Sequence, residues 1–70
     1  MRFLITNQEG EQQHLWDWQK FREELSAKLI DYNTNGNMID FQIIEVEKPI
    51  SQEILDKYGF RAEEIEWGNN

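Results

Sequence analysis

The segment Trp16–Tyr32, WDWQKFREELSAKLIDY, constrains the fold more than any other part of the chain. Its apolar residues recur every three or four positions, and this spacing places them on one face of a helix with about 3.6 residues per turn. They are Trp18, Phe21, Leu25, Leu29 and Tyr32. We therefore predict one central helix whose apolar face supports the packing of the shorter elements.

The N-terminal residues admit two arrangements. Arg2–Thr6 is rich in Phe, Leu and Ile and is predicted to be a strand, followed by a turn at Gly10. In the favoured arrangement, residues 12–16 form the second strand of a hairpin, and the carboxylate of Asp17 caps the helix. In the alternative, the helix begins near Gln12 and there is no second strand.

A strand and a short helix are predicted after the central helix. Met38–Lys48 has the Ile, Val and Phe content of a strand. Its apolar pattern changes phase at Ile43–Ile44, which indicates either a β-bulge there or a central strand partly covered on both faces. Ser51 is a predicted N-cap for a helix over Gln52–Tyr58, and Gly59 is predicted to end that helix.

Residues 63–67 alternate acidic and apolar side chains and are predicted to form an edge strand. The predicted fold class is therefore α+β: a small, mostly antiparallel sheet, in the element order β-β-α-β-α-β, with two helices packed on one face. The 70 residues are expected to form one domain, 1–70, with a frayed C-terminus at residues 68–70.

Composition disfavours several classes of function. With 14 acidic and 7 basic residues, the net charge is −7, which disfavours direct binding to nucleic acid phosphates or to an anionic membrane. A basic protein is the expected partner of such a surface. The absence of cysteine and of an apolar leader fits a cytoplasmic protein. Since the chain lacks a phosphate loop and a catalytic triad signature, a non-enzymatic function is expected.

An apolar surface around Leu4, Leu15 and Trp16 is the first candidate binding site. A hairpin built from residues 2–6 and 12–16 would carry apolar side chains on both faces, and only one face can pack on the helix. The other face is predicted to bind a partner protein, and a homodimer is the alternative. The leading function prediction is accordingly a small protein-interaction or regulatory domain.

A second candidate site is acidic. If the last strand lay beside Met38–Glu47, several carboxylates would form one stripe on the outer face of the sheet. A stripe of this kind would let the protein mimic nucleic acid and occupy the basic site of a DNA-binding protein. The residues of this predicted stripe are Glu45, Glu47, Glu64 and Glu66.

The third candidate is a calcium site at the predicted exit of the helix. The segment from Asp31 to Gln42 resembles an EF-hand loop, because oxygen-bearing side chains stand at its first, third and fifth positions and a glycine at its sixth. Gln42 stands where the loop needs a bidentate carboxylate, so an Asn- and Gly-rich turn is the competing interpretation. The predicted Ca²⁺ ligands are Asp31, Asn33 and Asn35.

Overall fold

The computed structural model, which describes residues 1–10 and 13–65, is built on a four-stranded antiparallel sheet. Its elements in chain order are β1 (Arg2–Asn7), α1 (Leu15–Leu25), β2 (Lys28–Asn35), β3 (Met38–Glu45), α2 (Gln52–Tyr58) and β4 (Phe60–Ile65). The strands lie in the order β2-β3-β1-β4. The α+β class and the antiparallel sheet are confirmed, but the predicted element order is wrong. The chain runs β-α-β-β-α-β, which is a split β-α-β arrangement.

The predicted strand over residues 12–16 is wrong: residues 13–14 are in no strand and residues 15–16 are helical, while Gln12 lies outside the described residues. Leu15 is the first residue of α1 and His14 is its N-cap. Asp17 is therefore not the cap; its Oδ2 instead accepts a hydrogen bond from the His14 N–H at 3.1 Å. A carboxylate in the first turn also interacts favourably with the helix dipole. The alternative arrangement, an earlier helix start without a second strand, is the closer of the two.

The helix α1 ends at Leu25, so the predicted helix through Tyr32 is wrong in its second half. Ser26 adopts the left-handed conformation, with φ 51° and ψ 41°. The Ser26 N–H donates to the Glu23 carbonyl at 3.1 Å, and the Ala27 N–H donates to the Arg22 carbonyl at 2.9 Å. This pair of bonds is a Schellman C-cap, which satisfies the last carbonyls of the helix and turns the chain away.

Strand β2 occupies the segment that was predicted to be the end of the helix. Leu29 pairs with Ile44 and Tyr32 pairs with Gln42, with a register shift between Leu29 and Asp31. The shift inserts one extra residue, Ile30, into β2. Leu29 and Tyr32 therefore face the helices together although an odd number of positions separates them.

Strand β3 lies between β2 and β1, and this position explains its change of phase. Ile44 pairs with Phe3 and faces the helices, whereas Ile43 pairs with Leu4 and faces the other side of the sheet. The central-strand alternative is thus the correct one. The bulge of β3 lies instead at Asp40, because β2 pairs across to Phe41 and then to Ile39.

The core lies between the two helices and one face of the sheet. The ring of Phe60, at the start of β4, lies 4.4 Å from the Trp18 ring and 4.7 Å from the Phe21 ring, measured between centroids. Aromatic pairs at this separation stabilise the fold beyond their simple burial. The buried apolar cluster consists of Phe3, Ile5, Trp18, Phe21, Ile39, Ile44, Val46, Leu55 and Phe60. Its membership confirms that both helices pack on one face.

The second helix forms as predicted. The Ser51 Oγ accepts a hydrogen bond from the Ile54 N–H at 3.3 Å, so Ser51 is the N-cap of α2. Gly59 ends the helix in the left-handed conformation, with φ 75°. The glycine lets the chain reverse directly into β4, which places Phe60 in the core.

Candidate interaction surface

Two large apolar side chains lie exposed at the start of α1. Leu15 is 69% exposed and Trp16 is 61% exposed, whereas Trp18 and Phe21 in the following turn are fully buried. The Lys20 Nζ lies 5.8 Å from the centroid of the Trp16 ring, which is a cation–π contact across one helical turn. The helix begins before its buried face does, and its first turn presents apolar surface to solvent.

Leu15 and Trp16 form one wall of a groove that reaches the hairpin between β2 and β3. Asn37, Met38 and Ile39 form the opposite wall, and the groove has a volume of about 740 Å³. Met38 is also 37% exposed. The remaining lining side chains are polar and belong to Gln13, His14 and Gln19. We call this feature, defined by these eight residues, the α1–hairpin groove.

The lining of the α1–hairpin groove carries no Asp, Glu, Lys or Arg among the residues that the structure describes. Charged residues are neighbours of the lining residues in the chain. Asp17 follows Trp16 in the chain, and Asp40 follows Ile39. Glu23 accepts a hydrogen bond from the lining residue Gln19 at 3.4 Å. Asp17 lines a separate cleft, together with Lys20, Asp56 and Lys57, and so does not belong to this groove.

Sequence reasoning found Leu15 and Trp16 but missed the hairpin side of the groove. Met38 follows the Gly36-Asn37 turn and begins β3. An apolar residue directly after a tight turn was a usable signal, because turn-flanking positions are exposed unless another element covers them. The signal was masked by the prediction that the preceding segment is helical.

Leu4 does not belong to the same surface as Leu15 and Trp16. It pairs with Ile43 of β3 and Glu63 of β4, on the side of the sheet that the helices do not cover. Its side chain is half-buried there. The predicted three-residue surface is therefore divided: Leu15 and Trp16 lie at the groove, and Leu4 lies on the far face of the sheet.

The predicted acidic stripe also fails in its geometry. Strand β4 pairs with β1 and not with β3, so the carboxylates of β3 and β4 are separated by a whole strand. Glu45 is engaged by Arg2, whose Nε lies 3.2 Å from its Oε1. Glu64 pairs with Phe3 and so points to the helix side, whereas Glu45 lies on the opposite side. Glu47 is exposed beyond the end of β3, and Glu66 lies outside the described residues.

The three predicted calcium ligands lie in β2 and not in a loop. Asp31 pairs with Ile43 and Asn33 pairs with Phe41, so both point to the helix-free face. The Asn33 Nδ2 donates to the Asp40 Oδ2 at 3.2 Å. An extended strand does not wrap around an ion as an EF-hand loop does, so the predicted loop conformation is wrong. Calcium binding through Asp31, Asn33 and Asn35 stays a prediction, and NMR shifts at these residues in millimolar calcium would support it.

A cluster of three polar side chains joins the two helices, and we call it the Glu24 cluster: Glu24, Lys57 and Tyr58. The Tyr58 hydroxyl donates to the Glu24 Oε1 at 2.7 Å, and the Lys57 Nζ donates to the same oxygen at 3.1 Å. These contacts hold the pKa of the Glu24 carboxyl below its ordinary value of 4.5, and the hydrogen bond from Tyr58 has the largest effect. The hydrogen bond to Glu24 in turn raises the pKa of Tyr58 and of Lys57. The cluster links α1 to α2 at the surface.

Within the described ranges, no group of three or more His, Cys, Asp or Glu side chains is arranged to hold a metal ion. Neither of the helices described here has the length and apolar character to cross a bilayer. Comparisons with protein-family models, with curated proteins and with solved structures found no match.

Proposed function

We propose that this chain is a small acidic protein-interaction domain that acts without catalysis and binds its partner at the α1–hairpin groove. The observation that carries the proposal is the exposure of Leu15 and Trp16 side by side in the first turn of α1. Isolated exposed apolar residues are ordinary on protein surfaces. Two of them on one wall of a groove, with exposed Met38 on the other, are typical of a binding site.

The composition of the groove supports a protein as the partner. Trp is among the residues that contribute most binding energy at protein interfaces, because its large ring loses little conformational entropy when it is covered. The amides of Gln13, Gln19 and Asn37 are at hand to bond the backbone of a bound segment. An apolar centre with a polar rim is the usual composition of such interfaces.

Affinity capture with matched variants tests the proposal. The double variant Leu15→Ala/Trp16→Ala is expected to lose the protein that the wild-type chain captures from a lysate of the cells that express it. Tyr32→Ala is the matched control, because Tyr32 is an aromatic residue of 57% exposure that does not line the groove. Capture by the control and loss by the double variant support the proposal. Equal capture by all three proteins would contradict it.

The double variant is expected to remain folded, since neither side chain belongs to the buried cluster. Alanine is also a better helix former than the residues it replaces. A circular dichroism spectrum and an unfolding midpoint equal to those of the wild-type chain would show this. Loss of capture would then report the surface and not the fold.

A further inference from the structure

The tip of the β2–β3 hairpin carries an Asn-Gly dipeptide, Asn35-Gly36, which occurs once in the chain. We propose that Asn35 is a site of spontaneous modification, at which the side-chain amide cyclises onto the backbone, loses ammonia and is hydrolysed to an aspartyl or isoaspartyl residue. Three features of the hairpin carry this assignment independently of the proposed binding function: an exposed amide, an unobstructed backbone nitrogen, and a neighbouring asparagine that lacks the glycine.

The amide of Asn35 is available for reaction. Asn35 is exposed, and its side chain forms no hydrogen bond with any residue that the structure describes. The amide of Asn33, two positions earlier in β2, is instead held by the Asp40 carboxylate at 3.2 Å. A side chain held in this way must break its hydrogen bond before its Cγ can approach the backbone. Asn35 has no such bond to break among the described residues.

The backbone nitrogen of Gly36 is the attacking atom, and it is accessible. Asn35 pairs with Met38, so Gly36 and Asn37 form the loop and lie outside the paired ladder. Gly36 has φ 65°, which glycine adopts without strain. Apart from its chain neighbours, no described atom lies within 4 Å of the position that a Cβ would take. Because glycine has no Cβ, the Asn35 Cγ can approach this nitrogen without side-chain obstruction.

The reaction consumes only water. The Gly36 nitrogen bonds to the Asn35 Cγ and gives up its proton, and the Cγ–Nδ2 bond breaks, so that ammonia leaves and a cyclic imide remains. Water then opens the imide at one of its two carbonyls. Opening at Cγ gives an aspartyl residue. Opening at the backbone carbonyl of Asn35 gives an isoaspartyl residue, in which the chain continues through Cγ. Either product replaces a neutral amide with a carboxylate.

The isoaspartyl product would change the hairpin more than the aspartyl product. It adds one methylene to the backbone at the residue that pairs with Met38 and closes the hairpin. An extra backbone atom there displaces the closing pair, since ladder hydrogen bonds require matched spacing in the two strands. Asn37 and Met38 line the α1–hairpin groove, so the modification also alters one wall of that groove.

Ageing of the purified chain tests the site. The chain is incubated at mildly alkaline pH, which favours loss of the Gly36 N–H proton, and its peptides are then sequenced by mass spectrometry. The expected result is the mass gain of an amide-to-acid exchange at Asn35 and none at Asn37. Asn37 is the matched internal control, because it lies in the same exposed turn but precedes Met38. No conversion at Asn35, or equal conversion at the two residues, would overturn the proposal.

Two variants test what the reaction requires. Asn35→Gln keeps an exposed amide but enlarges the ring that must close, so the conversion should be lost. Gly36→Ala keeps Asn35 and places a Cβ beside the attacking nitrogen, so the conversion should become slower. Ammonia release at the wild-type rate in either variant would overturn the assignment.

Asn35→Asp separates the added charge from the change in the backbone, because it reproduces only the aspartyl product. The methyl signal of Met38 in NMR spectra is expected to stay near its wild-type position in this variant. In the aged chain it should shift in proportion to the isoaspartate content, which an isoaspartyl methyltransferase assay measures. An aged chain that contains isoaspartate and keeps the wild-type Met38 signal would contradict the expected displacement of the closing pair.

Discussion

Ser26 has a left-handed backbone conformation, which residues with a Cβ rarely adopt. Its φ of 51° is the only positive φ of a non-glycine residue in the described chain. A residue with a Cβ in this conformation costs about 1–2 kcal/mol relative to the right-handed region, and glycine avoids the clash. Serine nevertheless ends α1 here, because the two Schellman hydrogen bonds and the packing of the following strand stabilise the conformation.

Ser26→Gly is therefore expected to raise the free energy of unfolding by about 1 kcal/mol. Urea unfolding followed by circular dichroism measures the change. Ser26→Ala is the control, because it removes the hydroxyl and keeps the Cβ, and it should bring no gain. A gain from alanine equal to that from glycine would show that the hydroxyl, and not the backbone conformation, is unfavourable.

Gln42 is a polar residue in the face of the sheet that the helices cover. It is 3% exposed, and the Arg22 Nη1 donates to its Oε1 at 2.7 Å. A buried amide that loses its partner costs more than the hydrogen bond itself contributes, whereas removal of both polar groups costs little. We therefore expect that removing the Arg22 donor alone destabilises the fold more than removing both polar groups does.

Arg22→Met keeps the aliphatic stem and removes the donor, so it should lower the free energy of unfolding by about 1–3 kcal/mol. Adding Gln42→Leu should restore most of that loss. A double-mutant cycle in urea measures both values. Additive losses in the double variant would refute the pairing of the two side chains.

At the scale of the elements, the sequence predicted what the local signals specify unambiguously. Ser51 and Gly59 bound α2 as expected, since an N-cap hydroxyl and a left-handed glycine each satisfy backbone groups that nothing else in the segment can. Met38 was likewise recognised as the start of a strand, because Ile and Phe follow it in a density that favours sheets.

The division of Trp16–Tyr32 into helix and strand was not predictable from spacing. Leu29 and Tyr32 are three positions apart, which fits a helical face. The extra residue at Ile30 gives a bulged strand the same one-sided spacing. The decisive signal, a helix end at Ser26, depends on a backbone conformation that serine rarely adopts. Local rules therefore favoured continuation, and sheet pairing with β3 decided otherwise. The groove was half predicted for the same reason, since its hairpin wall exists only if β2 does.

The Glu24 cluster between the helices makes stability depend on pH. The pKa of Glu24 is lowered in the folded state, first by the hydrogen bond from Tyr58 and then by that from Lys57. Its contribution is therefore present above its ordinary pKa of 4.5 and is lost as the pH falls through the lower, folded value. The raised pKa values of Tyr58 and Lys57 act in the opposite direction: their contribution is present below their ordinary values of 10.0 and 10.5 and is lost as the pH rises through the folded ones.

Glu24→Gln should accordingly flatten the acid limb of the stability profile. The measurement is the urea midpoint at a series of pH values from neutrality to well below 4.5. Glu47→Gln, which makes the same charge change at an exposed position after β3, is the control and should keep the wild-type slope. If both variants show the same profile, general charge repulsion governs the acid limb and the cluster does not.

At the scale of the whole molecule, the split β-α-β arrangement places the α1–hairpin groove at a distance from the acidic residue Glu64 of β4. An arrangement of this kind serves many unrelated functions, so the fold alone does not select one. The groove lies where α1 begins and β3 begins, and Glu64 lies near the far end of β4. Between Ile39 and Glu64 there are two strand spacings and about five residues along the strand, or roughly 19 Å. This separation exceeds the Debye length of about 8 Å at physiological salt.

The separation allows one pair of charge reversals to distinguish a groove-binding domain from a nucleic-acid mimic. Asp40→Lys, next to the groove residue Ile39 in the chain, should weaken binding of a basic captured partner several-fold at physiological salt. Glu64→Lys should change it by less than about twofold, because screening removes its effect over that distance. The partner of a nucleic-acid mimic would contact carboxylates spread over the whole sheet. Glu64→Lys would therefore reduce the affinity as strongly as Asp40→Lys. Equal losses of affinity in the two variants, larger at lower salt, would show that the partner binds the acidic residues of β3 and β4 and not the groove.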